Sequence, residues 1–164
     1  MKHAIKSVAA MLLLGLAVAG TAEAAKDKPV DFSGTWKLNT KQSKGAPDWR
    51  PETVLVVLQS PYQIHFTYFL NKDATQPFQT YNYVTNGKET QIYSSAEEFA
   101  FAGARWNKNV LQVHTHHVIH EEVADTDWVE TDTWTLSDDG KTLINKTSDG
   151  KIIVYDKQEK AKVY

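Results

Sequence analysis

Apolar and polar residues alternate with a period of two along most of the chain from residue 31 onward. The pattern is clearest in Asp31–Asn39, where one set of alternate positions is apolar or small: Phe32, Gly34, Trp36 and Leu38. This period is typical of a β-strand that turns one face to a core and the other to water. A glycine inside a strand is costly unless another group comes close to its backbone, so we expect the indole of Trp36 to lie near Gly34.

Nine further segments have strand character and are separated by residues that favour turns. They are Thr53–Gln59, Tyr62–Leu70, Phe78–Val84, Glu89–Tyr93, Glu98–Trp106, Val110–Ile119, Asp127–Ser137, Lys141–Thr147 and Lys151–Asp156. Tight hairpin turns are predicted at three Asn-Gly or Asp-Gly pairs, which are Asn86-Gly87, Asp139-Gly140 and Asp149-Gly150. Short strands at this spacing, with almost no helical period, indicate an all-β sandwich or barrel.

The connections between the predicted strands are mostly short, which favours an up-and-down meander. A meander leaves two exposed edges unless it closes on itself. We therefore predict an antiparallel up-and-down β-barrel of about 8–10 strands. One long connection, Thr40–Glu52, contains Gly45, Pro47 and Pro51 and has no periodicity. A loop of this length is often a lid or a binding loop, and a solvated spacer is the alternative.

The N-terminus has the three parts of a secretory signal peptide. Its basic start, apolar middle and A-x-A cleavage site are Lys2 and Lys6, Val8–Gly20, and Ala22-Glu23-Ala24. The apolar run is too short to span a bilayer comfortably, and no second run follows it. We predict a signal peptide over residues 1–24 and one exported domain over residues 25–164, periplasmic or secreted and without an integral membrane segment.

Charge and cysteine content exclude several classes of function. The formal net charge is −2, and it becomes −3 without residues 1–24, because Lys2, Lys6 and Glu23 remove two positive charges and one negative charge. A mildly acidic chain without a basic block is a poor candidate for binding nucleic acid or anionic membranes. The chain has no cysteine, so disulfides, thiolate metal sites and cysteine nucleophiles are excluded. An exported domain of this kind depends on core burial and suits a bacterial periplasm.

The segment Gly34-Thr35-Trp36 resembles the G-x-W motif in the first barrel strand of the lipocalins. Together with Trp134–Leu143, the stretch around it is similar to a family of exported bacterial lipocalin-like proteins of the calycin type. The resemblance implies a barrel with a small-molecule cavity, in which Trp36 closes one end beneath a basic residue from the last strand. Lys146 and Lys157 are the candidates for that residue. Gly34 and Trp36 are carried over as structural residues only.

Four of the six histidines lie within residues 114–120, in a predicted strand with two possible inner faces. One face carries Leu111, Val113, Thr115, His117 and Ile119, and the other carries Val110, Gln112, His114, His116, Val118 and His120. Burying a large apolar side chain is favourable by about 1.5–3 kcal/mol, which favours the first face as the inner one. We expect His117 to point into the barrel, with His114 and His116 outside in water.

The next predicted strand places two carboxylates on its inner face. Trp128, Glu130, Asp132, Trp134 and Leu136 share a face, and the two tryptophans and the leucine identify it as the core side, with Trp134 a structural residue. Carboxylates between buried indoles are costly without partners or water. A β-bulge near Val129 that turns both carboxylates outward is the alternative.

Strand pairing gives these carboxylates possible partners. A turn centred on Val123 and Ala124 would place His117 opposite Glu130 and Thr115 opposite Asp132. A pair of His117 with Glu130 would satisfy both groups and raise the pKa of the histidine. The same pair would suit a polar ligand head group or general acid–base chemistry.

We predict that the barrel binds a small, partly apolar ligand with a polar head group, without a cofactor. The predicted ligand-binding residues are Phe66, Tyr68, Tyr81, His117, Trp128, Glu130 and Asp132. Tyrosine suits this role because it offers both a ring and a hydroxyl. The alternative for the aromatic residues, including Tyr62, Phe99 and Phe101, is a barrel core.

Three other functions remain open. His114, His116 and His120 could bind a metal, because histidines at positions i and i+2 of a strand point the same way. A lipocalin-like enzyme, such as a decarboxylase or cyclase, could use His117 with Glu130. A barrel filled with side chains would instead be a ligand-free interaction module. The sequence contains no H-E-x-x-H motif or phosphate-binding loop, so binding is favoured over catalysis.

Overall fold

The computed structural model describes residues 29–46, 50–121 and 124–159, and the predicted signal peptide lies outside these residues. The described residues form ten β-strands. In chain order they are β1 (Gly34–Leu38), β2 (Val54–Gln59), β3 (Gln63–Phe69), β4 (Gln79–Val84), β5 (Thr90–Ser94), β6 (Glu98–Asn107), β7 (Val110–Ile119), β8 (Thr126–Leu136), β9 (Thr142–Lys146) and β10 (Ile152–Lys157). Among the described residues, no helix is long and apolar enough to cross a membrane.

All ten strands belong to one antiparallel sheet in the order β4-β3-β2-β1-β10-β9-β8-β7-β6-β5. The first and last strands pair with each other, with Trp36 opposite Lys157 and Leu38 opposite Tyr155. This pairing curls the meander into a nearly closed barrel whose remaining seam lies between β4 and β5. The predicted fold, an antiparallel up-and-down β-barrel, is confirmed.

The hairpin predicted at Asn86-Gly87 does not form. Asn86-Gly87 lies in a turn between β4 and β5, but these strands do not pair as a hairpin. The turn is instead bonded to β6, because the Gly87 N–H donates to the Ala104 carbonyl at 2.8 Å and Asn86 forms a bridge with Arg105. A local turn signal does not determine which strand the turn is held against. The hairpins predicted at Asp139-Gly140 and Asp149-Gly150 do form, between β8 and β9 and between β9 and β10.

Because the strands run up and down, the connections alternate between two ends of the barrel. The closed end is the end at which β1 begins and β10 finishes, next to Trp36. The open end carries the β1–β2 loop and the β3–β4, β5–β6, β7–β8 and β9–β10 connections.

Trp36 fills the closed end. Its side chain is fully buried, and its indole Nε1 donates a hydrogen bond of 3.0 Å to the Phe32 carbonyl. The Phe32 ring meets Trp106 edge-on at 5.0 Å between centroids. Lys157 of β10 places its ammonium 5.2 Å from the Trp36 ring centroid, a distance at which the ring quadrupole attracts a cation. Lys157, and not Lys146, therefore holds the position expected for the basic residue.

The backbone conformation of residue 34 in β1 is the main reason why this residue is a glycine. Its φ of 143° lies where side-chain-bearing residues are rare. A Cβ at this position would lie 3.6 Å from Trp36 Nε1 and 3.5 Å from Lys157 Cε, which is ordinary contact. The indole does approach Gly34 as expected, but positive φ is the stronger requirement for glycine.

The inner face of β6 carries small side chains. Ala100, Ala102 and Ala104 are buried, whereas Phe99 and Phe101 lie on the outer face, where their rings are near His120 and His116. The alternative that places these two phenylalanines in the core is therefore wrong. Tyr62, just before β3, is 77% exposed and is not a core residue either. Alanines inside β6 leave room for the large rings that the other strands contribute.

Candidate functional site

A cavity of about 520 Å³ lies inside the half of the barrel next to the open end. Its volume falls within the range of roughly 300–1,000 Å³ that is usual for small-molecule sites. Leu38 lines it from β1, and Gly45 and Arg50 line it from the β1–β2 loop. The loop Thr40–Glu52 therefore contributes to the cavity wall, although its residues 47–49 lie outside the described part of the chain.

Aromatic rings form much of the wall. Phe66 stacks on Trp134 with 4.5 Å between centroids and 27° between planes. Tyr81 stacks on Tyr83 at 5.9 Å and 8°, and stands nearly perpendicular to Tyr68 at 6.1 Å and 87°. These residues reach the cavity because the inner faces of β3, β4 and β8 meet there. Flat walls and a perpendicular corner are suited to a ligand that contains a ring.

Phenol hydroxyls supply polar contacts between these rings. Burial is the main cause that raises the pKa of Tyr68, Tyr83 and Tyr155 above the ordinary value for tyrosine. The Tyr68 hydroxyl lowers the pKa of Tyr155 and so offsets part of this effect of burial. The three phenols therefore stay protonated at neutral pH, and a hydroxyl can both donate and accept hydrogen bonds.

Asp132 is a half-buried carboxylate on the cavity wall. Its Oδ1 accepts a hydrogen bond of 3.1 Å from the Ser148 N–H, and the Asn145 side chain is a second hydrogen-bond partner. Burial raises its pKa most strongly, these hydrogen bonds lower it, and the nearby Glu130 and Asp149 raise it further. No Lys, Arg or His of the described ranges forms an ion pair with it.

Asp132→Asn is expected to raise the thermal midpoint at pH 7. A folded-state pKa above the usual value near 3.8 means that folding disfavours the ionised form. The wild-type protein is therefore penalised as pH rises through that folded pKa, whereas below the unfolded pKa the carboxyl is neutral in both states. The variant should gain stability at pH 7, and the gain should disappear near pH 3, as measured by circular dichroism melts across this range.

Asp139→Asn is a control of opposite sign. Hydrogen bonds from Ser137 and from the Lys141 N–H lower the pKa of Asp139, so this carboxylate stabilises the fold above its unfolded pKa and loses that contribution as pH falls through the folded pKa. This variant should be less stable than wild type at pH 7. A lower midpoint for both variants at pH 7 would contradict the account of Asp132.

His117 stands on the cavity wall between two carboxylates. Its Nδ1 is 3.4 Å from Glu98 Oε1, and its Nε2 is 3.8 Å from Glu130 Oε2. The imidazole also stacks on the Trp128 indole with 4.7 Å between centroids and 4° between planes. The imidazole therefore lies between the carboxylates of Glu98 and Glu130 and against the Trp128 ring.

The predicted register of β7 with β8 is wrong by two residues. His117 pairs with Trp128, Thr115 with Glu130, and Val113 with Asp132. A shift of two preserves which side chains face inward, because the side-chain period of a strand is two. His117 and Glu130 are therefore diagonal neighbours on the inner face, close enough for an ion pair at 3.8 Å.

Glu98 was missed by the sequence interpretation. It begins β6 and pairs with Ile119, two residues along β7 from His117. Nothing local in the sequence marks it, because its contact with His117 depends on the register of β6 with β7. Only the observation that strands β6 and β7 are long and adjacent would have suggested a search at this position.

Trp128 is not the buried indole that the pattern predicts. It is 38% exposed, does not line the cavity, and donates from Nε1 to Glu130 Oε1 at 3.3 Å. The pairing of β7 with β8 is continuous from Thr126 to Thr135, so no bulge at Val129 turns the carboxylates outward. The reason for the exposure is that β9 pairs only with Thr133–Leu136, which leaves the first half of β8 without a strand on that side.

The other six predicted ligand-binding residues all line the cavity. They are Phe66, Tyr68, Tyr81, His117, Glu130 and Asp132. Two cationic side chains lie near them at the open end: Arg50 covers the Phe78 ring at 4.0 Å, and Lys151 pairs with Asp149 at 2.5 Å. Trp134, the predicted structural residue, is buried and forms part of the cavity wall.

The remaining histidines of residues 114–120 lie away from the cavity. His114 and His116 are on the outer face, as expected, but they are partly covered by Glu89, with His114 Nε2 3.4 Å from Glu89 Oε1. His120 pairs with Asp125 at 2.8 Å beyond the end of β7. Within the described ranges, no group of three or more His, Asp or Glu side chains is arranged to hold a metal ion.

Sequence comparison adds no family to this picture. No protein-family model matches the chain, and no curated protein matches it. The functional interpretation therefore depends on the barrel and on the contents of its cavity.

Proposed function

We propose that this protein is an exported barrel that binds one small, partly apolar, ring-containing molecule with a polar head group. The observation that carries the proposal is the cavity of about 520 Å³, walled by stacked aromatic rings and containing Asp132 as a polar anchor. A barrel of this strand number is wide enough for one small ligand among its side chains. The proposed location, the periplasm or the exterior, rests on residues 1–24.

The distribution of groups in the cavity supports an amphipathic ligand. Phe66, Val113 and Ile153 offer apolar surface, whereas the phenols and Asp132 converge on the same space. Ligand sites commonly combine a mostly apolar wall with a few placed polar groups that orient the molecule. A purely apolar ligand would exclude water from these polar groups without offering them a hydrogen bond, which is costly in a buried site.

We also propose that the chain is a lipocalin-like protein of the calycin type. Support comes from the closed end, where Trp36 lies beneath Lys157 and Gly34 has positive φ. The position of Trp36 beneath a basic residue of the last strand is the feature that the G-x-W resemblance implies. Proteins that share this closed end could still differ in the ligand they bind, because the cavity lies at the opposite end of the barrel.

Acid–base catalysis on the bound molecule is the second candidate function. His117 has one ring nitrogen 3.4 Å from Glu98 and the other 3.8 Å from Glu130. A histidine held between carboxylates can exchange a proton with a ligand in the cavity. Turnover of a bound molecule by the wild-type protein, and its loss in His117→Gln, would favour this candidate over binding alone.

A cavity-filling variant tests the binding proposal. N-phenyl-1-naphthylamine, a neutral two-ring fluorophore, should bind the wild-type protein with enhanced emission. Thr115→Trp places an indole on the cavity wall and should weaken binding by about tenfold or more, which corresponds to about 1.4 kcal/mol. Fluorescence titration measures both dissociation constants.

Thr131→Trp is the matched control, because Thr131 is exposed on the outer face of β8 opposite His114. Its affinity for the fluorophore should equal that of wild type. Absence of fluorophore binding to the wild-type protein, together with no co-purifying molecule in native mass spectrometry of protein from its own host, would contradict the proposal.

A further inference from the structure

We infer that the head group accepted by this cavity is an organic cation, a protonated amine or a quaternary ammonium, carried on a ring-containing body. The inference rests on the proposed binding function and names the class of its ligand. Two observations point to it: a cavity carboxylate that forms no ion pair with a described Lys, Arg or His, and a set of aromatic rings that line the same cavity.

The first observation concerns the charges around Asp132. Among the described residues the cavity ion pairs are those of Lys151 with Asp149 and of His117 with Glu98 and Glu130. None of them involves Asp132. The charged neighbours that act on it most strongly, Glu130 and Asp149, are also acidic. A partly desolvated carboxylate among like charges is an unfavourable arrangement that a bound cation would relieve.

The second observation concerns the rings. Tyr68, Tyr81 and Tyr83 line the same cavity as Asp132, and the charge of the carboxylate acts on all three phenols. Tyr68 and Tyr81 meet at 87°, which gives a corner with one ring face on each side. Aromatic faces attract organic cations through the ring quadrupole, and the attraction grows when the site is desolvated. Rings and carboxylate therefore favour the same ligand charge.

The two cationic side chains that line the cavity, Arg50 and Lys151, have other contacts and do not form an ion pair with Asp132. Lys151 is engaged with Asp149 at 2.5 Å, and the Arg50 guanidinium lies over Phe78 at 4.0 Å. An anionic head group at Asp132 would add a negative charge beside three existing carboxylates, those of Asp132, Glu130 and Asp149. A neutral head group would leave the carboxylate without a counter-charge.

Three probes that share a ring and a chain but differ in charge test the inference: 3-phenylpropylamine, 3-phenylpropan-1-ol and 3-phenylpropanoate. Their affinities are measured at pH 7.5 by displacement of N-phenyl-1-naphthylamine and by calorimetry. The ammonium should bind at least about tenfold more tightly than the alcohol, and the carboxylate should bind most weakly. In Asp132→Asn the ratio of ammonium to alcohol affinity should fall to near one.

Asp127→Asn is the control, because Asp127 lies on the same strand but contacts His116 on the outer face, and its ratio should match wild type. The ratio in the wild-type protein is informative without any variant. Equal affinities of ammonium and alcohol, tighter binding of the carboxylate, or failure of all three to displace the fluorophore would overturn the inference and leave the binding barrel in place. Failure of the fluorophore itself to bind would instead contradict the proposed function.

Discussion

Trp36→Ala is expected to lower the free energy of unfolding by about 3–5 kcal/mol, the usual cost of truncating a buried Phe or Trp. The indole is fully buried, and its loss would also remove the hydrogen bond to the Phe32 carbonyl. Lys157 would lose the ring beneath its ammonium, and water would gain access to the closed end of the barrel. Urea unfolding followed by circular dichroism measures the change.

Trp128→Ala is the matched control for this prediction. The same atoms are deleted, but this indole is 38% exposed at the open end and supports no core. Its loss should cost about 1 kcal/mol or less, the range for exposed positions with a few contacts. Equal losses in the two variants would mean that Trp36 does not close the barrel.

Leu55→Ala is expected to cost about 2–5 kcal/mol in unfolding free energy, as for other buried leucines. Leu55 is fully buried on β2, between Trp36 of β1 and Tyr68 of β3. It links the closed end to the cavity wall, so a void there would loosen both. Denaturant unfolding gives the stability change, and fluorophore titration reports whether the cavity changes with it.

Leu58→Ala provides the comparison on the same strand. Leu58 is 63% exposed and lies opposite His65 on the outer face of the barrel. Its truncation should alter stability by about 0.5 kcal/mol or less. A larger loss from Leu58 than from Leu55 would show that the inner and outer faces of β2 have been exchanged.

Strand positions were predictable because they depend on neighbours in the chain. Alternation, β-branched runs and turn residues predicted all ten strands, and the faces of β7 were assigned correctly by weighing Leu111 and Val113 against the histidines on the opposite face. Even the register error between β7 and β8 left His117 and Asp132 on the inner face, since an even shift conserves the side-chain period.

The cavity was harder to predict. On β6, hydrophobicity alone favours Phe99 and Phe101 as inner residues, yet alanines face inward there. The choice is made by the rings that the other strands bring into the same space, which a local pattern does not contain. Glu98 meets His117 for a similar reason, because the contact depends on how two strands align.

The chain's own pattern of residues determined that this protein is an antiparallel meander of short strands, with Trp36 in its core and carboxylates on an inner face. Period, turn residues and burial preferences act over a few residues, so they can be read directly. Tertiary structure alone decided the pairing of β1 with β10, the exposure of Trp128 and the presence of Asp132 in one cavity with phenols from three other strands. These features depend on contacts between residues far apart in the chain, where register and packing determine which side chains meet.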